Sequence, residues 1–237
     1  MPTKINLLVY LAVWRRPEIT ELCLLGIMRM RLHSAYNIQA FAVISEPEMI
    51  PLMEKYNIGW VMHENLPVSK KKNYGLKALA AYDFDYLMEI GSDDLVTDYL
   101  LTQYLEYFGK YEYFGISDCL YISVETDECR RLINHQSTYG AARVISRSLL
   151  EKMGWSLWPD NLNRGMDNAS NRNIAKHGVN FYRVPAGEYP GLIDVKSQEN
   201  IWKFNYFLGV EYDFNNVLEH LSIAEIDKIR QLKNAFA

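Results

Sequence analysis

An α/β domain on a mainly parallel sheet is the fold this sequence predicts, on three observations. Short apolar runs alternate with helix-period segments through the first half. Each run stops at polar residues. The composition, 49% hydrophobic and 23% charged over 237 residues, suits a folded domain with a large core rather than a disordered chain. Alternation of strand and helix implies right-handed crossovers, and ligands of such sheets bind at the carboxyl ends of the strands.

The elements follow in order. Residues 5–13 form a short, branched-rich, nearly continuous apolar run, read as a buried strand. Pro17 and Glu18 open a helix in which Leu22, Leu25 and Met28 recur at helical spacing to about Arg31. Further strands are expected over 38–45, 59–63 and 86–90, with helices over 51–56 and 69–82 between them. The four strands end at Trp14-Arg15, Ser45-Glu46, His63-Glu64-Asn65 and Ser92-Asp93-Asp94. Beyond these, 113–124 and 179–184 read as strand, 146–153 and 167–177 as helix, and 200 to the end as mostly helical. The domain is expected to span 1–199, with a donor half to about 97 and an acceptor half after it. A helical extension over 200–237 completes the chain.

The composition also excludes function classes. A net charge of −4 lacks the basic excess of a dedicated nucleic-acid binder. Three cysteines, Cys23, Cys119 and Cys129, have no metal-type spacing, and their odd number argues against a disulfide framework. No signal-peptide pattern and no membrane-length apolar run is found, so a cytoplasmic protein is expected.

Asp93 and Asp94 carry the chemistry. Adjacent carboxylates repel and are costly to desolvate unpaired, and a divalent cation relieves both costs. Oxygen ligands of this kind suit Mg2+ or Mn2+ shared with substrate phosphates. The plainer alternative is a helix N-cap before an expected helix over 95–108. Lys70-Lys71-Lys72 at a helix start is unfavourable beside the positive helix end and asks for an anion.

An apolar strand ending in an acidic loop, downstream of a strand with a Trp14-Arg15-Arg16-Pro17-Glu18 turn, resembles glycosyltransferases of the GT-A fold, family 2 in particular. Gly91 stands where that family's Asp-x-Asp motif has its first acid. The segments Asn65-Leu66-Pro67, Lys70 to Gly75, Gly140 to Arg147 and Gly165-Met166-Asp167-Asn168 resemble the family's in the same order, with Met166 in place of a Glu. The resemblance implies an inverting transfer from a nucleoside diphosphate sugar. Asp93 and Asp94 would hold Mn2+ or Mg2+, and Asp167 would act as base. Ala12, Trp14, Arg15, Glu46, Asn65, Lys71, Lys72, Asn73, Gly75, Ser92 and Asp93 would form the donor side. Arg143, Arg147, Trp158 and Asn168 would form the acceptor side, for a glycan, a lipid-linked sugar or another hydroxyl compound. The Gln198-Glu199-Asn200-Ile201-Trp202 stretch lacks the Arg of processive members. Alternatives are a non-catalytic nucleotide or sugar binder, a nucleotidyltransferase on a similar sheet, and a hydroxylated DNA base as acceptor. The net charge disfavours the last.

Overall fold

The computed structural model describes residues 4–126, 128–133, 139–197, 204 and 209–236. Within these, two sheets share one helix. The strands of the first half are β1 (Ile5–Val13), β2 (Tyr36–Ile44), β3 (Gly59–Met62) and β4 (Tyr86–Gly91). β1 pairs in parallel with β2 and β4, and β2 in parallel with β3. The sequence dictates this packing, because the β1 interior Leu7 to Leu11 is apolar on both faces and fully buried.

The helices between the strands are α1 (Pro17–Met30), α2 (Ile50–Lys55) and α3 (Val68–Ala78). α1 and α2 pack on one face, where Cys23, Leu24, Ile27 and Met53 meet Leu7, Val9 and Ala42. α3 packs on the other, where Leu76 meets Leu8, Tyr10 and Val43. Gly75 makes that approach close: a Cβ there would collide with the Tyr10 hydroxyl and lie 2.9 Å from Cβ of Val43.

After β4 the chain departs from the sequence reading. No helix starts at Leu95. Residues Asp94–Val96 form β5, and α4 (Asp98–Tyr104) begins after Thr97, whose hydroxyl accepts from Leu100 N. Thr97 therefore caps the helix, and the capping alternative for Asp93 and Asp94 is removed. The single strand expected over 113–124 is two, β6 (Tyr113–Ile116) and β7 (Asp118–Ser123), which enter different sheets. The remaining elements are β8 (Cys129–Ile133), β9 (Arg143–Ser146), α5 (Arg147–Lys152), α6 (Met166–Ala175), β10 (Tyr182–Val184), β11 (Leu192–Lys196), β12 (Val210–Glu211), α7 (Phe214–Leu218) and α8 (Ile223–Phe236).

Among the described residues the first sheet runs β10-β6-β9-β4-β1-β2-β3, antiparallel only where β9 meets β4 and β6. The second runs β12-β8-β7-β11-β5. It packs Leu95, Leu120, Ile122, Ile193 and Val195 on Ile19 and Leu22 of α1 and Ile229 and Leu232 of α8. α1 is thus buried from both sides. α8 opens with a capping box, Ser222 Oγ accepting from Glu225 N while Glu225 Oε2 accepts from Ser222 N at 2.7 Å. Glu225 also receives Arg29 Nε at 2.9 Å, which fixes α8 along α1. The end of the chain is accordingly part of the domain's packing, and β12 adds a strand to the second sheet.

Candidate functional site

The site begins where β4 leaves the first sheet and β5 enters the second. The turn at Ser92-Asp93 joins them, so the acidic residues sit between two sheets and at a strand's carboxyl end. In β5, Asp94 stands directly opposite Asp194 of β11. Like charges facing each other across a strand pair are destabilising. Asp93, Asp94 and Asp194 offer one oxygen each within 4.8 Å of one another.

Burial and the neighbouring acids push the Asp94 carboxyl well above the usual range. Burial also raises Asp194, to about 6, although Lys196 draws it down. Lys196 Nζ lies 2.6 Å from Asp194 Oδ2, and Arg16 donates to Asp93 Oδ2 at 3.1 Å and to Ser92 Oγ at 3.2 Å. Among the described residues, Lys196 and Arg16 thus face the three acids. Asp194 Oδ1 is buried with no hydrogen-bond partner among the described residues. An oxygen-only donor set with an orphaned carboxylate oxygen fits a hard divalent cation such as Mn2+ or Mg2+.

The β1 end lies beside this cluster. Arg15 and Arg16 are consecutive residues in the left-handed region, at φ 55° and 54°. Non-glycine residues held there cost of order 1–3 kcal/mol each and concentrate at functional sites. The strain places Arg16 on the acidic loop and lets the Arg15 amide donate to Glu46 Oε2 at 3.2 Å. The Arg15 guanidinium lies 4.6 Å over the ring of Trp14, which is exposed. Ala12, Trp14, Arg15, Glu46, Ser92 and Asp93 are thus gathered at the ends of β1, β2 and β4.

The α3 lysines behave differently from each other. Lys71 is 1% exposed, and its ammonium donates to the Val13 carbonyl and to Asn65 Oδ1. Burial pulls it down to about 8, with Glu46 opposing. Lys72 forms an ion pair with buried Glu89 and lies 4.6 Å over the Trp158 ring. The anion that the helix start asks for is therefore, for Lys72, a carboxylate of the protein itself. Asn73 is fully engaged. It donates to Trp158 O and Asp160 Oδ1, each at 2.7 Å, and accepts from Leu157 N at 3.0 Å, which ties down the loop before α6.

Glu89 organises the other face. Alternation along β4 turns it away from Met88 and Ile90 into the layer of α3 and α6. There Arg143 Nε donates to it at 2.6 Å and Arg143 Nη1 donates to Ser170 Oγ at 2.6 Å. Ser170 in turn donates to Met166 O and Asp167 O at 3.0 and 2.9 Å, and Trp158 Nε1 donates to Met166 O at 3.1 Å. The first turn of α6 is therefore locked to the sheet.

Asp167 sits in that turn, exposed, behind Gly165 at φ 68°. Its side chain does not cap the helix, because the residue in the N-cap position is Gly165. Instead the carboxylate lies against Gly140, where any Cβ would collide with it. Asn168 is exposed beside it.

Three residues expected on the acceptor side do not reach open space there, the first being Trp158, which is 2% exposed with Lys72 and Arg143 over its ring. Arg143 has 0% exposure and is held by Glu89, so it cannot meet an acceptor directly. Arg147 lies at the opposite end of the sheet, since Ser146 pairs with Tyr86 at the start of β4. Its guanidinium is taken by Glu151 at 2.8 Å and by the Ala80 and Tyr82 carbonyls. The 198–202 stretch lies outside the described residues. Asp194 and Lys196 were not anticipated. Their signal was the two-residue period of Leu192-Ile193-Asp194-Val195-Lys196 after Pro190-Gly191.

No family model and no curated protein matches the sequence. Solved structures do match the fold. The mannosyltransferase PcManGT of Pyrobaculum calidifontis, in complex with GDP-Man and Mn2+, is similar at a TM-score of 0.58 and 12% identity. The match covers 86% of this chain and 60% of that one, so the chain spans about three fifths of that protein's length. TarS 1-349 of S. aureus is similar at a TM-score of 0.54 and 13% identity, over 98% of this chain and 70% of that one. The chain has a GT-A-like fold. Among the described residues no helix is long and apolar enough to cross a membrane.

Proposed function

We propose that this chain transfers a glycosyl group from a nucleoside diphosphate sugar to an acceptor hydroxyl, with inversion. The observation that carries the reading is the trio Asp93, Asp94 and Asp194 at the carboxyl end of β4, on a GT-A-like fold. A neighbour of the same fold was solved in complex with GDP-Man and Mn2+, which agrees with a nucleotide-sugar donor and a divalent cation.

In the proposed reaction the donor's diphosphate lies at the trio and its nucleoside at the ends of β1 and β2. The three carboxylates would hold Mn2+ or Mg2+, which when bound neutralises charge growing on the diphosphate. Asp167 accepts the proton of the acceptor hydroxyl. The acceptor oxygen forms its bond to the anomeric carbon as the bond from that carbon to the diphosphate oxygen breaks, and the electron pair leaves with the nucleoside diphosphate. Arg16 stands at Asp93, where it adds positive charge beside the leaving group. Arg143 acts through α6 rather than on the acceptor. A carboxylate placed on the first turn of a helix that is itself locked to the sheet is pre-organised for the proton transfer. The acceptor is a glycan, a lipid-linked sugar or another hydroxyl compound.

Asp93→Asn tests the donor end. The residue is partly exposed in a turn, with its side chain 17% accessible, so its replacement leaves the core intact. Calorimetric titration with a nucleoside diphosphate and Mn2+ is expected to show binding at least ~10-fold weaker, about 1.4 kcal/mol, at an unchanged melting temperature of the free protein. Wild-type affinity in the folded variant would remove the acidic loop from the donor site.

A further inference from the structure

A cavity of about 470 Å³ opens at Arg15 and Arg16, and α8 forms one of its walls. Its lining includes Arg15 and Arg16 from the β1 end, Glu46 and Met49 after β2, and Leu232 and Ala235 from α8. Arg16 connects it to the trio, because its guanidinium is on Asp93 and Ser92.

The chemistry of the lining selects what can enter. Ile19, Met49 and Leu232 are apolar walls, each less than one-twentieth exposed. Three carboxylates, Glu18, Glu46 and Glu48, also border the space. Apolar walls with accepting carboxylates at their edge accommodate a flat uncharged ring with N–H donors, while Arg15 and Arg16 on the same lining attract an anionic group. A nucleoside diphosphate has both parts, and the charged one is drawn to Arg16 and the cation site.

α8 is held at this place by buried polar contacts. Glu225 has 0% exposure and receives Arg29, and Lys228 bridges to Glu18 and Glu21 of α1. The wall is thus built into the fold. We propose that the C-terminal helix completes the nucleoside pocket, with Leu232 and Ala235 packing against the base of the donor. This rests on the donor-site reading above, and it adds to that site a segment far away in sequence.

Ala235→Trp in the full chain is the test, since Ala235 is exposed and a larger side chain there projects into the cavity without displacing core. Titration with a nucleoside diphosphate and Mn2+ is expected to give at least ~10-fold weaker binding than wild type, with the free protein's melting temperature unchanged. A nucleoside without phosphates is expected to compete with the diphosphate on wild type in the absence of Mn2+, and that competition is lost in the variant. Leu232→Ala, which removes a wall instead of filling the space, is the second variant and is expected to weaken the same ligand. Unchanged affinity in the folded Ala235→Trp and Leu232→Ala variants overturns the inference. If those variants bind normally while Asp93→Asn does not, the donor site stands and only the role of α8 falls. Failure of wild type to bind any nucleoside diphosphate with Mn2+ refutes the donor-site reading, and this inference falls with it.

Discussion

Asp167→Asn is expected to lower glycosyl transfer by at least ~100-fold, the lower end of what a positioned base contributes. The substitution keeps the shape of the side chain and removes only its ability to take a proton. Its structural cost is small because Asp167 caps nothing: Gly165 occupies the N-cap position, and the first turn of α6 is held by Ser170 and Trp158. Loss of a carboxylate from the first turn costs the helix about 0.3–1 kcal/mol. Donor affinity is expected to stay near wild type, since the proposed donor site is the acidic trio and the β1 and β2 ends. Turnover and nucleotide binding, measured on the same preparation, separate the two roles. Near-normal transfer by Asp167→Asn would take this residue out of the mechanism.

Arg143→Ala is expected to destabilise the fold by about 3 kcal/mol, the lower end of the cost of breaking a buried ion pair. Arg143 and Glu89 are 0% and 3% exposed. Burial alone would raise the Glu89 carboxyl, but Arg143 and Lys72 outweigh it and hold the group below its ordinary value. Lys72 remains in the variant and shields part of the charge, hence the lower end of the range. The variant also removes the Arg143–Ser170 bond that ties the turn carrying Asp167 to the sheet. Urea unfolding gives the stability change. Adding Glu89→Gln to Arg143→Ala is expected to recover part of it, because the uncompensated charge is then gone. A loss below 1 kcal/mol, with no recovery in the double variant, would show that the pair does not hold the two layers together.

Much of the first half was legible in the sequence because its strands are buried on both faces. Leu7 to Leu11 are apolar at every position, which marks a central parallel strand without any partner being known. The helix at α1 was legible too, but not its buried face: of the residues on which the period was read, Leu22 is buried, Leu25 is half-buried and Met28 is exposed, while Cys23, Leu24 and Ile27 face the core. What failed was local. Asp94-Leu95-Val96 is short, and an acidic pair before apolar residues has the same pattern as a helix cap. Only the pairing with Leu192-Ile193-Asp194, nearly a hundred residues downstream, makes it a strand. Asp194 was missed for the same reason: its meaning comes from facing Asp94, a long-range relation that spacing does not carry. Arg143 and Lys72 read as ligand-binding cations, because a positive side chain in a sequence does not announce its partner. Glu89, one acid within an apolar run, was the sign that the partner lay inside. Gly140 and Asp167 show the converse, a close contact that no local pattern foretells.

The most direct test of the account is the melting temperature of the wild-type chain with a nucleoside diphosphate and Mn2+, separately and together. Three carboxylates within 4.8 Å, one with an oxygen that has no hydrogen-bond partner among the described residues, are a cost in the free fold that a cation and a diphosphate relieve. A ligand at ten times its dissociation constant stabilises the folded state by roughly 1.4 kcal/mol. For a chain of this size that corresponds to a rise of about 3–6 °C. The account predicts a rise of that order with both ligands present, larger than with either alone. No shift at millimolar nucleoside diphosphate, with or without Mn2+, would contradict it.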